Sequence, residues 1–143
     1  MRHQVHQERF ACRFFVLIAA LFLSCAQASS SQEAFVIGSL KIAPGQALSG
    51  LIEVAAKDDV GTSIPVTVIH GAKKGKTLAA VAGVHGYEYP PILALYRLKD
   101  MIDPQELAGT LVLVHIANLP SFQRRTIYYN PYDWKNLNRV FPG

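Results

Sequence analysis

From Phe35 onward, short apolar runs alternate with residues that favour turns. Phe35 to Ile42 is followed by Pro44-Gly45, and Leu48 to Ala56 by Asp58-Asp59 and Gly61. Ser63 to His70 carries Ile64, Val66 and Val68 at every second position, and Gly71 with Lys73-Lys74-Gly75 then supplies a turn. Spacing of this kind predicts hairpin-like strands, each with one face turned to a core.

The pattern changes at Thr77. Leu78-Ala79-Ala80-Val81-Ala82 is a continuous run of apolar side chains, the signature of a central strand buried on both faces. After a glycine-containing turn come Pro90-Pro91, tolerated in a first helical turn, and then Ile92, Leu93, Leu95, Tyr96, Leu98 and Met101 at helical spacing. Asp103-Pro104 ends this helix, and Leu111 to Ala117 forms a second buried run. Strand, helix and strand in this order predict a parallel pair joined by a right-handed crossover, which is α/β architecture. Beyond Asn118 no periodicity remains, and the wealth of Pro, Asn, Tyr and Arg predicts a long loop around a site.

The N-terminus has another character. A basic segment reaching Arg13 precedes the apolar stretch Phe14 to Leu23 and the small-residue pattern Ala26-Gln27-Ala28. This is the layout of a secretory signal peptide over residues 1–28, cleaved after Ala28, and it implies export to a periplasmic or extracellular space. The apolar stretch is about half of the roughly 20 residues that a membrane-crossing helix needs, so no stable span is expected after cleavage. Both cysteines, Cys12 and Cys25, precede the cleavage point, so the mature chain would have no disulfide. The formal charge of +4 owes much to Arg2, Arg9 and Arg13. The remaining cations form no run beyond Lys73-Lys74 and Arg124-Arg125, which excludes a phosphate track and a nucleic-acid partner.

Two constellations carry chemistry. His85 and Glu88 stand three apart just past the first buried run, with Gly83 and Gly86 close by, where open α/β sheets place their ligands. An imidazole nitrogen and a carboxylate oxygen are good zinc ligands, and the glycines let the backbone turn sharply enough to aim both at one point. By themselves the two residues also suit a capped turn and the start of a helix. Further on, Asn138-Arg139 pairs a directional amide with a planar guanidinium fork, a plausible clamp for a carboxylate or else part of a polar surface loop. His115 and His70, each near a strand end, read as hydrogen-bonded structural histidines before they read as ligands.

Gly83-Val84-His85-Gly86-Tyr87-Glu88, Asn118 to Phe122, Asn130-Pro131 and Lys135 to Gly143 together resemble the succinylglutamate desuccinylase/aspartoacylase family, a branch of the zinc-carboxypeptidase-like fold. The resemblance spans about residues 35 to 143. It implies zinc as cofactor, held by His85 and Glu88, and a small-molecule N-acyl amino acid or peptide-like substrate whose carboxylate Asn138 and Arg139 grip. It also implies an upstream arginine that polarises the scissile carbonyl, with Arg125 as first candidate and Arg124 as second. A third ligand, a later histidine, and the general-base glutamate would follow Gly143, so residues 1–143 alone are expected to be inactive. Trp134 departs from the family, which commonly has a small residue, often Gly, at that place.

The expected fold is therefore α/β, a zinc-carboxypeptidase-like mixed sheet with flanking helices, incomplete at its C-terminus and occupying residues 29–143. The expected activity is zinc-dependent removal of an acyl group from an N-acyl amino acid. The alternatives are a zinc carboxypeptidase acting on peptides and a non-catalytic binding module derived from such an enzyme.

Overall fold

A computed structural model describes residues 32–57 and 60–142. The signal-peptide segment and both cysteines lie outside the described residues. Six strands are formed: β1 (Phe35–Ile37), β2 (Leu40–Ile42), β3 (Gln46–Val54), β4 (Thr62–His70), β5 (Lys73–Val81) and β6 (Ala108–Val114). Helix α1 (Tyr89–Met101) joins β5 to β6, and a short α2 (Leu119–Arg124) and a 3₁₀ turn (Leu137–Arg139) follow β6. Among the described residues no helix is long and apolar enough to cross a membrane.

The main sheet is mixed, with strand order β3-β4-β6-β5. β4 pairs antiparallel with both β3 and β6, while β5 and β6 run parallel, as the strand-helix-strand pattern requires. Two expectations need correction here. Among the described residues the run Leu78 to Ala82 is not a central strand: β5 lies at the edge of the sheet they form, with Leu78 66% and Val81 53% exposed. The crossover through α1 inserts β6 between β4 and β5, so β6 and β4 take the central positions and β5 is displaced outward. Nor do Lys73 to Gly75 form a turn, because pairing with Ala108 draws them into β5 ahead of a register shift. The exposed Lys73 is ion-paired with Glu106 at 2.8 Å.

Residues 35–42, read as one strand, instead reverse at Gly38 and Ser39 into the antiparallel β1-β2 hairpin. This hairpin covers one face of the sheet, where Ile42 packs with Val68 and Val112 and is flanked by Phe35, Ile37, Leu40 and Val114. A second cluster of Ala82, Ile92 and Ile116, with Leu95, Leu119 and Phe122 against it, seats α1 and α2. The segment after Asn118 is thus not all loop. The Asn118 side chain accepts from the Ser121 amide at 3.3 Å to start α2, Pro120 suits the first turn, and Ser121 is buried.

The two buried histidines serve this packing. His70 Nδ1 meets Thr110 Oγ1 at 2.7 Å and its Nε2 meets the Glu33 carbonyl at 3.0 Å, which ties the segment leading into β1 onto the sheet. His115 Nε2 meets Thr67 Oγ1 at 2.7 Å, Thr67 meets Ser49 Oγ at 2.8 Å, and the Tyr96 ring of α1 stacks on the imidazole at 4.1 Å and 16°. Burial, and secondly the positive charge of Lys99, push the His115 pKa below its ordinary value of 6.5. A base shifted this way binds fewer protons folded than unfolded. Its contribution to stability is therefore complete above about pH 6.5 and is lost as pH falls from there toward the lowered folded value.

Two outcomes follow for denaturant unfolding of the chain. Leu113→Ala, at a fully buried position in β6, is expected to cost about 2–5 kcal/mol, whereas Leu78→Ala on exposed β5 should stay within about 0.5 kcal/mol; equal losses would contradict this strand order. For His115→Gln, stability measured from about pH 7 down to 5 should fall less steeply than in wild type, and parallel slopes would show that His115 does not titrate on unfolding.

Candidate metal centre and carboxylate cleft

β5 ends at Val81, and the backbone of the next residues is held by the chain leaving β6: Ala117 N donates to Ala82 O and Asn118 N to Gly83 O, both at 2.9 Å. Gly83 has φ 64°, and a side-chain carbon there would approach Ile116 Cα to 2.8 Å. At Gly86 a Cβ would come within 2.2 Å of the Thr126 carbonyl oxygen and 2.5 Å of that of Ser121. The loop bearing His85 is thus pressed onto the C-terminal end of α2, an approach open only to glycine.

Glu88 occupies the N-cap of α1, yet its side chain makes no cap hydrogen bond. An N-cap side chain ordinarily accepts from the second or third helical N–H, and here Pro90 and Pro91 have no N–H to offer. The carboxylate turns back instead. Glu88 Oε1 lies 2.8 Å from His85 Nδ1, and Oε2 accepts from the His85 amide at 3.4 Å. On its other side His85 Nε2 lies 3.1 Å from Asn136 Oδ1, and the Tyr128 ring meets the imidazole edge-on at 5.2 Å and 84°.

A cleft of about 630 Å³ opens at this point, lined by His85, Tyr128, Tyr129, Asn136 and Arg139. His85, Glu88 and Arg139 are therefore brought together. Asn138 is adjacent in sequence and exposed; its amide donates to Asn136 Oδ1 at 3.0 Å, but it is not among the residues lining the cleft. Arg124 and Arg125 are exposed at the end of α2, where Arg125 takes the left-handed C-cap conformation with φ 56°, and neither lines the cleft. Tyr128 and Tyr129 form part of the cleft wall. Asn136 was not singled out by its residue type, since its partner His85 lies 51 positions away. Trp134 has φ 57°, a conformation that favours glycine, which accounts for the small residue expected there. Its ring is 70% exposed.

The donor set suits a divalent metal. His85 Nδ1 lies 2.8 Å from Glu88 Oε1, a hydrogen bond in which the carboxylate accepts, and a metal taking the place of the shared proton would meet an imidazole nitrogen and a carboxylate oxygen. Among the described residues no cluster of three or more His, Cys, Asp or Glu that could hold a metal ion is present, and His85 with Glu88 offers two donors. His115 adds none, being buried and directed to Thr67.

Residues 74–143 match the succinylglutamate desuccinylase/aspartoacylase catalytic domain. The N-alpha-acetyl-L-2,4-diaminobutyric acid deacetylase of Halomonas elongata is 39% identical over 82 residues, which are 56% of this chain and 23% of that enzyme. Among solved structures, an aspartoacylase family protein of Mesorhizobium loti superposes with a TM-score of 0.65 at 30% identity, covering 79% of this chain and 35% of the other. The ectoine utilization protein EutE of Ruegeria pomeroyi, in a product-bound structure, superposes with a TM-score of 0.60 at 27% identity, covering 78% and 33%. The chain thus spans about a quarter to a third of the length of these relatives. Sequence match, shared fold and the His85-Glu88 pair agree that residues 74–143 belong to the catalytic domain of the succinylglutamate desuccinylase/aspartoacylase family.

Proposed function

We propose that this chain carries the metal-binding and carboxylate-gripping part of a zinc-dependent deacylase that hydrolyses N-acyl amino acids. The observation behind this reading is the convergence of His85 Nδ1 and Glu88 Oε1 at 2.8 Å beside a cleft that also exposes Arg139. When bound, zinc supplies Lewis acidity at the scissile carbonyl and lowers the pKa of water there toward about 7. The chain's own residues do the positioning. Arg139 presents a planar, permanently charged fork to the substrate carboxylate, and Asn138 adds an amide beside it. Tyr128 and Tyr129 wall the cleft and keep its floor partly apolar, which strengthens charge interactions made there. To Arg125 we assign the scissile carbonyl, on the family resemblance. A deacetylase acting on an N-acetylated diamino acid among the relatives favours deacylation over cleavage of peptides. We further propose export of the protein, on the basic, apolar and small-residue order of residues 1–28.

The expected behaviour of the purified 143-residue chain is zinc uptake without turnover, because no third His, Cys, Asp or Glu joins His85 and Glu88 among the described residues. His85→Ala should lose zinc, measured by metal analysis after gel filtration. Unchanged zinc content in that variant would refute the assignment. With zinc present, Arg139→Ala should weaken binding of N-acetyl amino acids by about tenfold to a hundredfold, the worth of a charge-assisted hydrogen bond; equal affinity would remove Arg139 from the clamp.

A further inference from the structure

We infer that Tyr128 and Tyr129 determine which amino acid the cleft takes: their rings form a corner that receives the side chain of an N-acyl amino acid and favours a flat aromatic one. The inference rests on the deacylase reading above, which fixes where the other groups of the substrate go. An N-acyl amino acid carries a carboxylate, an acylated nitrogen and a side chain on one α-carbon. That reading sends the carboxylate to Arg139 and the acyl carbonyl to the metal at His85 and Glu88. The cleft is lined by His85, Tyr128, Tyr129, Asn136 and Arg139, so Asn136 and the two tyrosines remain for the side chain. The Asn136 oxygen is engaged twice, by the Asn138 amide at 3.0 Å and by His85 Nε2 at 3.1 Å. The rings are open, Tyr128 being 52% and Tyr129 50% exposed.

The arrangement of the rings selects further. Tyr128 and Tyr129 stand at 89° to each other with centroids 6.5 Å apart, and Tyr128 also meets the His85 imidazole at 84° and 5.2 Å. Successive perpendicular contacts thus run from the His85 ring along the wall. Their backbone is anchored on both sides, since the Gly86 amide donates to the Ile127 carbonyl at 3.3 Å and Thr126 Oγ1 to the Tyr129 carbonyl at 2.6 Å. Aromatic pairs prefer offset-stacked or edge-to-face contact with centroids about 4.5–7 Å apart, so a planar ring in the corner can stack on one tyrosine and present its edge to the other. A methyl side chain covers little of this surface and leaves most of it in water. A cationic side chain is also drawn to a tyrosine face, but it shares the cleft with the Arg139 guanidinium, and none of the described residues that line the cleft is acidic. An anionic side chain would compete with the substrate's own carboxylate for Arg139.

The test measures, by calorimetry in the presence of zinc, binding of N-acetylphenylalanine, N-acetylalanine and N-acetyl-2,4-diaminobutyrate to the 143-residue chain, with N-benzoylalanine to put the aromatic group on the acyl side instead. N-acetylphenylalanine should bind about tenfold more tightly than N-acetylalanine; Tyr129→Ala should reduce that ratio to about two, while Tyr129→Phe, which keeps the ring, should preserve it. Equal affinity for the phenylalanine and alanine derivatives, tighter binding of the diamino acid, or a preference for N-benzoylalanine over N-acetylphenylalanine would overturn the inference. The wild-type ratio needs no variant, so it decides the matter even if Tyr129→Ala does not fold. If none of the series binds, the deacylase reading falls and takes the inference with it, whereas binding without preference for the phenyl side chain overturns the inference alone.

Discussion

The carboxylate of Glu88 stands where two partners compete for it, the open end of helix α1 and the ring of His85. Two consecutive prolines decide the contest. With Pro90 and Pro91 in the first turn, the helix offers no N–H at the positions that a cap would serve, and the carboxylate is left to His85 at 2.8 Å. The pair that could hold a metal thus exists because the following helix begins in an unusual way. Everything else at the site is arranged around this contact.

Support for it comes from both parallel strands. β5 delivers the His85 loop, while the chain leaving β6 clasps that loop through backbone hydrogen bonds at Ala82 and Gly83 and provides the α2 end against which Gly86 rests. Both strand ends therefore serve one short segment. This is the place where α/β sheets gather their ligands, since successive loops converge at the carboxyl ends of parallel strands. The buried histidines lie outside this scheme: His70 spends its ring nitrogens on Thr110 and the Glu33 carbonyl, His115 spends its Nε2 on Thr67, and both act in packing.

Across the cleft, the segment from Thr126 to Val140 is ordered by its own amides. Asn130, Asp133 and Asn136 each accept a backbone N–H two residues on, at 2.9 to 3.0 Å. These local turns explain why a stretch without hydrophobic periodicity still has a defined course. They also place Tyr128, Tyr129 and Arg139 on one wall of the cleft, opposite nothing that the local turns themselves require.

What could be read from the residues alone were features set by near neighbours. The apolar runs, the prolines of α1 and the three-residue spacing of His85 and Glu88 act within a turn or two of chain, so the parallel β-α-β unit and the contact between these two side chains were legible. Strand order was not. The same apolar composition that marks β5 as a strand is compatible with a centre or an edge, and only closure of the chain through α1 places β6 inside and leaves Leu78 exposed. The short α2, hidden in a segment rich in loop residues, needed its contacts with Ala82 and Ile92 to be stable. Likewise, an asparagine has no distinguishing mark until folding carries it across 51 residues to the imidazole. Local sterics and hydrogen-bond inventory determined which groups could act; the tertiary fold, by bringing distant segments into register, decided which of them meet.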